Sequence, residues 1–195
     1  MSVFEMYLQL GFEHIIDIKA YDHILFVVTL CAVYHIGEWK HVLILVTAFT
    51  IGHSLTLVLA TLDMINLKTE LVEFLIPLTI FITAIANISV NKTDYSARLH
   101  QFKYATALIF GLIHGLGFSV YLKSLLGNQE SILKPVFAFN IGLEIGQIIV
   151  VSTILIAAFI MIRWFKIMKR EWTLVLSGAG LGVSLILMFE RSGLF

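Results

Sequence analysis

Six apolar runs, at about residues 22–37, 41–62, 71–88, 104–126, 135–165 and 173–189, constrain this chain more than any other feature. A helix crosses the hydrocarbon core of a bilayer in roughly 17–25 mostly apolar residues. The first run is short, and the fifth is long enough to tilt or to project into water. Strands that cross lipid alternate polar and apolar residues in segments of about ten, whereas these runs are longer and apolar all round. The sequence therefore predicts an all-α fold, a polytopic transmembrane helix bundle of about six spanning helices forming one domain over residues 1–195. Composition enters for one comparison. Hydrophobic residues make up 59% of the chain and charged residues 13%, against about 25% charged in soluble domains. No soluble fold of this size hides that much apolar surface. The net charge is zero, so no basic field invites nucleic acid. The single cysteine, Cys31, lies inside an apolar run and closes no internal disulfide.

Residues 1–20 differ from the rest. Phe4, Tyr7, Leu8, Leu10 and Phe12 mix with Glu5, Gln9, Glu13 and Asp17, which suggests a short N-terminal interfacial helix feeding the first span. The only basic residue of this segment is Lys19, so the basic n-region of a cleavable signal is missing and the N-terminus is expected to be retained. Residues 67–70, 89–103 and 127–134 read as polar connections. Lys and Arg number eight on one side (Lys40, Lys92, Arg98, Lys103, Arg163, Lys166, Lys169, Arg170) and five on the other (Lys19, Lys68, Lys123, Lys134, Arg191). That bias predicts both termini outside. Gly111 and Gly115, Gly142 and Gly146, and Gly178 and Gly182 each place small residues one helical turn apart, a spacing that lets helices approach closely.

Ionisable groups at membrane depth are costly and mark functional positions. The second expected helix carries His53, the fourth His114 and the fifth Glu144. Asp22, His23 and Glu73 stand at outer helix ends. At about 1.5 Å per residue, all of these converge in the outer half of the bilayer. Asn140, Glu144 and Gln147 share one stripe of the fifth helix, and Thr50, His53 and Ser54 form a polar patch on the second. Lipid satisfies none of these groups, so they are expected to face the bundle interior. Imidazole and carboxylate together suit zinc, nickel, cobalt or iron. Asp17, Thr50, Ser54, Asn140 and Gln147 are expected to orient the imidazoles through hydrogen bonds. Plainer readings exist for each group alone. A single histidine can bond across helices, Asp22 and His23 can cap a helix, and Glu73 can be a first-turn carboxylate favoured by the dipole. His35, His41 and His100 fall in connections on the inner side and read as solvated surface.

Five words of this sequence together resemble the HupE/UreJ family of small bacterial membrane proteins. They are Tyr21-Asp22-His23-Ile24-Leu25-Phe26, Phe49-Thr50-Ile51-Gly52-His53-Ser54-Leu55-Thr56, Val72-Glu73-Phe74, Gly111-Leu112-Ile113-His114-Gly115-Leu116-Gly117-Phe118 and Phe139-Asn140-Ile141-Gly142-Leu143-Glu144-Ile145-Gly146-Gln147. The resemblance implies a nickel or cobalt permease in the bacterial inner membrane. It carries a metal-ligand role onto His14, Asp22, His23, His53 and His114, with Glu73 and Glu144 as further candidates. The chain departs from the family where many members have His-Pro, since Ile15 follows His14, and where many have Gly, since Ala20 stands there. It therefore reads as a divergent branch.

Two functions follow. In the first, the protein is a transition-metal transporter of the nickel or cobalt type. In the second, it is an intramembrane zinc-dependent metalloenzyme, a hydrolase or acyl transferase acting on a lipid or lipid-linked substrate. There, imidazoles would hold zinc with one position open for water, and Glu144 or Glu73 would act as general base. A metal or redox sensor without turnover is a third, weaker reading. The expected partners are a metal ion and the lipid bilayer, with a homo-oligomer left open.

Overall fold

A computed structural model describes residues 2–18, 21–89, 97–126 and 132–192. These residues form seven helices: α1 (Val3–Ile16), α2 (Asp22–Cys31), α3 (Trp39–Thr61), α4 (Thr69–Ser89), α5 (Ala97–Leu126), α6 (Leu133–Arg163) and α7 (Lys169–Arg191). A 3-10 turn, Ile36–Glu38, leads into α3. No strand occurs among the described residues. Residues 90–96 and 127–131 of the connections expected at 89–103 and 127–134 fall outside them, as do Lys19, Ala20 and Lys92, whereas 97–103, expected as connection, is the opening of α5. Each of α3 to α7 contains a stretch long and apolar enough to cross a membrane.

The first expected span differs. Its helix, α2, has 10 residues and rises only about 15 Å. It stops at Cys31 because the next residues turn. Tyr34 N–H bonds back to the Cys31 carbonyl, and His35 is extended at φ −127° and ψ 170°. The Ala32 carbonyl freed by this stop accepts from Thr173 Oγ1 on α7. The His35 and Glu38 side chains pair across the 3-10 turn.

What α2 lacks in length, α1 supplies. Ser2 and Glu5 form a reciprocal cap at its start, with Glu5 N–H donating to Ser2 Oγ at 3.2 Å and Ser2 N–H to Glu5 Oε2 at 2.8 Å. Tyr7, Gly11 and Ile15 are buried, and α1 packs chiefly on α6. The contact is backbone on backbone. A Cβ on Gly11 would lie 1.9 Å from the Phe139 carbonyl oxygen, and one on Gly142 would lie 1.9 Å from that of Leu8. Farther along α6, Val151, Ile154 and Leu155 join Phe26, Val27, Leu30 and Cys31 of α2 in one apolar cluster. So α1 covers the first part of α6 and α2 the next. Together they rise about 36 Å, enough for a hydrocarbon core of about 30 Å. The pair stands as one interrupted helix, and with the five long helices that follow, the start of α1 and the end of α7 lie toward one face of the bundle, here called the terminal face.

A second glycine seam joins α3 to α5, the most extensive pairing in the bundle. A Cβ on Gly111 would meet the Phe49 carbonyl oxygen at 2.1 Å, and one on Gly115 the His53 carbonyl oxygen at 2.2 Å. The third small-residue pair does something else. Gly178 and Gly182 have nothing within 4 Å, and it is Gly180 that faces α2, at Thr29. The spacing of Gly178 and Gly182 therefore points away from the bundle.

Candidate metal centre

The interruption between α1 and α2 faces the α3/α5 seam. His14 lies in the last turn of α1, and Asp22 and His23 open α2. His53 stands on the buried face of α3 between Phe49 and Leu57. His114 precedes Gly115, whose close fit on His53 sets the two helices in register. Four elements thus bring four imidazoles to one level of the bundle.

One potential ligand atom from each of His14, His23 and His53 lies within 4.8 Å of the other two. The ring centroids of His14 and His23 are 4.4 Å apart, those of His14 and His53 6.1 Å, and those of His23 and His114 5.3 Å. His53 is fully buried and His114 nearly so. Phe26 and Phe49 lie against His114, each at 5.1 Å between centroids, and floor the site on the side away from the terminal face.

Hydrogen bonds decide which nitrogens are available. A carboxylate only accepts, so His23 carries its proton on Nδ1 and donates to Asp22 Oδ1 at 3.0 Å. Asp22 Oδ1 also accepts from the His23 backbone N–H at 2.9 Å. His114 Nδ1–H donates to the Phe110 carbonyl at 2.8 Å. These bonds hold both rings in the tautomer that presents Nε2 as the lone-pair nitrogen of a neutral imidazole. The Nε2 atoms of His14, His23, His53 and His114 are buried with no hydrogen-bond partner, and so is His53 Nδ1. A buried polar atom left unpaired costs about 1–3 kcal/mol. A cation that accepts imidazole lone pairs removes that cost for several nitrogens at once. Metal–imidazole bonds of about 2.0–2.1 Å draw nitrogens somewhat closer than they stand here, so the rings need only close in. The residues fit a transition metal.

The other expected site residues sort by position. Asp22 is committed on both oxygens, Oδ1 to His23 and Oδ2 to Arg191 at 3.3 Å, and in this arrangement it orients His23. Glu73 is exposed, and with His14, Asp22, His23, His114 and Arg191 it lines a cavity of about 290 Å3. Asp17 caps α1 and lines a neighbouring cavity of about 460 Å3 that also touches His14. Glu144 stands apart from the three-imidazole group and accepts from Thr47 Oγ1 on α3 at 3.1 Å. Thr50 Oγ1 donates to Gln147 Oε1 at 2.8 Å, Ser54 Oγ to the Thr50 carbonyl, and Asn140 Nδ2 to the Val136 carbonyl. These bonds tie α3 to α6 or return to the local backbone, and none of them reaches an imidazole.

Two features escaped the sequence reading. Arg191, counted there only as a surface charge, reaches Asp22 at the mouth of the cavity. On the opposite face, His41 and His100 stack with centroids 4.0 Å apart at 7°, and His41 Nδ1 is 2.6 Å from Tyr104 Oη. His100 is buried, where solvated surface was expected. No sequence signal marks this stack, because its members lie 59 residues apart in the chain. Arg191 had a faint signal in Pro77, which leaves the Glu73 carbonyl without its helical donor.

A family model described as HupE / UreJ protein matches residues 1–191. No curated protein and no solved structure matches the chain.

Proposed function

Since this chain belongs to the HupE/UreJ family, which is associated with nickel and cobalt transport, we propose that it carries a transition-metal ion of that type across the bilayer. The cargo would bind at His14, His23 and His53, with His114 beside them. One observation carries this reading: the ligand atoms of His14, His23 and His53 converge at the break of an interrupted helix. Such breaks are where membrane transporters bind their substrates, because helix ends and loosened backbone there can rearrange without breaking a continuous helix. Neutral imidazoles suit nickel, cobalt and zinc alike. The lack of thiolate in the group favours a site of intermediate affinity, one that can release its ion. The inner membrane is the proposed location, with both termini outside.

The floor of the site favours a second reading. Below the imidazoles, Phe26, Phe49, Leu30, Val46, Val151 and Leu155 form an apolar cluster, and beside it the Thr50–Gln147 and Thr47–Glu144 bonds between α3 and α6 stop short of His41 and His100. A one-sided site of this kind also suits a zinc-dependent hydrolase or acyl transferase working on lipid at the terminal face, with Glu73 at the cavity as base.

Elemental analysis of the purified protein, paired with nickel and cobalt flux into proteoliposomes, separates the two. Bound metal that exchanges and crosses the bilayer is the expected result. Tightly held zinc without flux would sink the transporter reading and favour the enzyme.

A further inference from the structure

We propose that Arg191 is a tethered counter-cation closing the mouth of the imidazole group, and that an incoming divalent metal ion takes over its seat. This rests on the reading of that group as a metal site.

The seat is built from two elements that the sequence prepares separately. Pro77 has no N–H, so the helical carbonyl four residues earlier, that of Glu73, loses its donor. Arg191 Nη1 donates to that carbonyl at 3.3 Å. Its Nη1 and Nη2 both lie 3.3 Å from Asp22 Oδ2. The guanidinium thus bridges α7, α4 and the start of α2 across the cavity that opens on His14, His23 and His114. Asp22 Oδ2 and the Glu73 carbonyl are hard oxygen acceptors, and a hydrated divalent cation satisfies them as a guanidinium does.

The clamp is loose. Charge-assisted N–H···O bonds usually run about 2.7–2.9 Å, and the Arg191 side chain keeps 27% of its surface exposed. The rest of α7 is anchored elsewhere. Arg170, Thr173 and Ser177 bond to the Asn87, Ile88 and Ala32 carbonyls and to Asn87 Nδ2, all near the start of the helix. Ser184 and Leu187 keep the helix itself buried up to its last turn, so it is the Arg191 side chain, not the helix end, that swings. Arginine is charged at every relevant pH, so the closed state always opposes a cation at the mouth. A divalent ion displaces it through stronger attraction to Asp22, and a monovalent ion does not.

The sign of one substitution separates this role from simple structural neutralisation of Asp22. In the full-length protein in detergent, titrated with Ni2+, Arg191→Gln is expected to bind about tenfold tighter, and Arg191→Lys to return to within about twofold of the unaltered protein. Unchanged or weaker nickel binding in a folded Arg191→Gln variant overturns the proposal. A second measurement needs no variant at Arg191. Phenylglyoxal modification of Arg191, followed by peptide mass spectrometry, should accelerate several-fold when Ni2+ is added, and equal rates overturn the proposal. The His53→Ala variant distinguishes the two failures. Nickel binding that is lost in His53→Ala but indifferent to Arg191 rejects the counter-cation alone. No nickel binding by the unaltered protein rejects the metal site and the counter-cation with it.

Discussion

At the scale of single residues, the unpaired imidazole nitrogens pull stability and binding in opposite directions. His53 is fully buried with both ring nitrogens unpartnered, so in the metal-free protein it costs about 1–3 kcal/mol. Replacing it with leucine removes that cost along with the ligand. His53→Leu is therefore expected to leave the metal-free melting temperature unchanged or raised, and to abolish the upward shift that added nickel gives the unaltered protein by mass action. A lowered metal-free melting temperature would mean that His53 has a structural partner instead. Asp22→Asn acts through His23, since an amide is a weaker acceptor for Nδ1–H and no longer fixes the tautomer. Metal affinity is expected to fall about 10–100-fold, the usual cost of losing such an orienting group, measured by the same titration. Gln147→Leu breaks a bond to Thr50 on α3 that reaches no imidazole, so it is expected to cost about 0.6 kcal/mol of stability, typical of bonds between membrane helices, and to leave metal affinity within about twofold in the same titration.

Residue chemistry was legible where it is local. His23, His53 and His114 stand out because an ionisable group in an apolar run has few other uses, and the Asp22–His23 contact is a matter of adjacency. Partners across the fold were not legible. Asn140, Glu144 and Gln147 share a helical stripe, yet α6 turns that stripe toward Thr47 and Thr50 of α3 and not toward the rings. Helical periodicity gives the common face of three residues but not the helix they meet.

Elements were legible in proportion to how far hydropathy alone decides them. The five long helices need only an apolar run, and their bounds fall close to those runs except at the start of α5, which opens at Ala97, seven residues ahead of its run. The interrupted helix needs more. Residues 32–37 are apolar enough to prolong α2, but the turn at Tyr34 and the Thr173 bond to the Ala32 carbonyl end it. The polar side chains of α1 resemble those of a surface helix, and its burial depends on Gly11 and Gly142 removing side chains at matching positions of two helices. That dependence is testable. Gly142→Leu cannot fit against the Leu8 carbonyl without moving α1, and displacing α1 moves His14. Loss of metal binding together with protease sensitivity within residues 1–20 is expected. Gly178→Leu meets nothing within 4 Å and should leave both unchanged in the monomer. Equal effects of the two substitutions would argue against α1 docking as the support of the site.

For the whole molecule, the proposed transport requires an ion to pass a floor of aromatic rings. The imidazole group opens toward the terminal face through the Arg191 cavity. On the other side, Phe26 lies 5.0 Å from Phe49 and 6.1 Å from Phe110 between centroids, and beyond them the apolar cluster continues toward the His41–His100 stack. A dry apolar constriction excludes ions because they would have to shed water with nothing to replace it. On the proposed transport reading, the start of α2 has to shift. The helix is short and is joined to α1 by only a few residues, while its far half is held by the Asn87 bond to the Thr29 carbonyl and the Thr173 bond to the Ala32 carbonyl, which leaves the Asp22 end as the part that moves. Phe26→Leu thins the floor at a stability cost of about 1–3 kcal/mol and touches no ligand nitrogen. If the floor is the barrier to transport, nickel affinity in detergent should stay within about twofold while the flux into proteoliposomes rises. An enzyme confined to the terminal face would show no flux in either protein, because its floor never opens. Unchanged flux through a working transporter would instead place the barrier elsewhere along the path, with the Arg191 mouth the first position to measure.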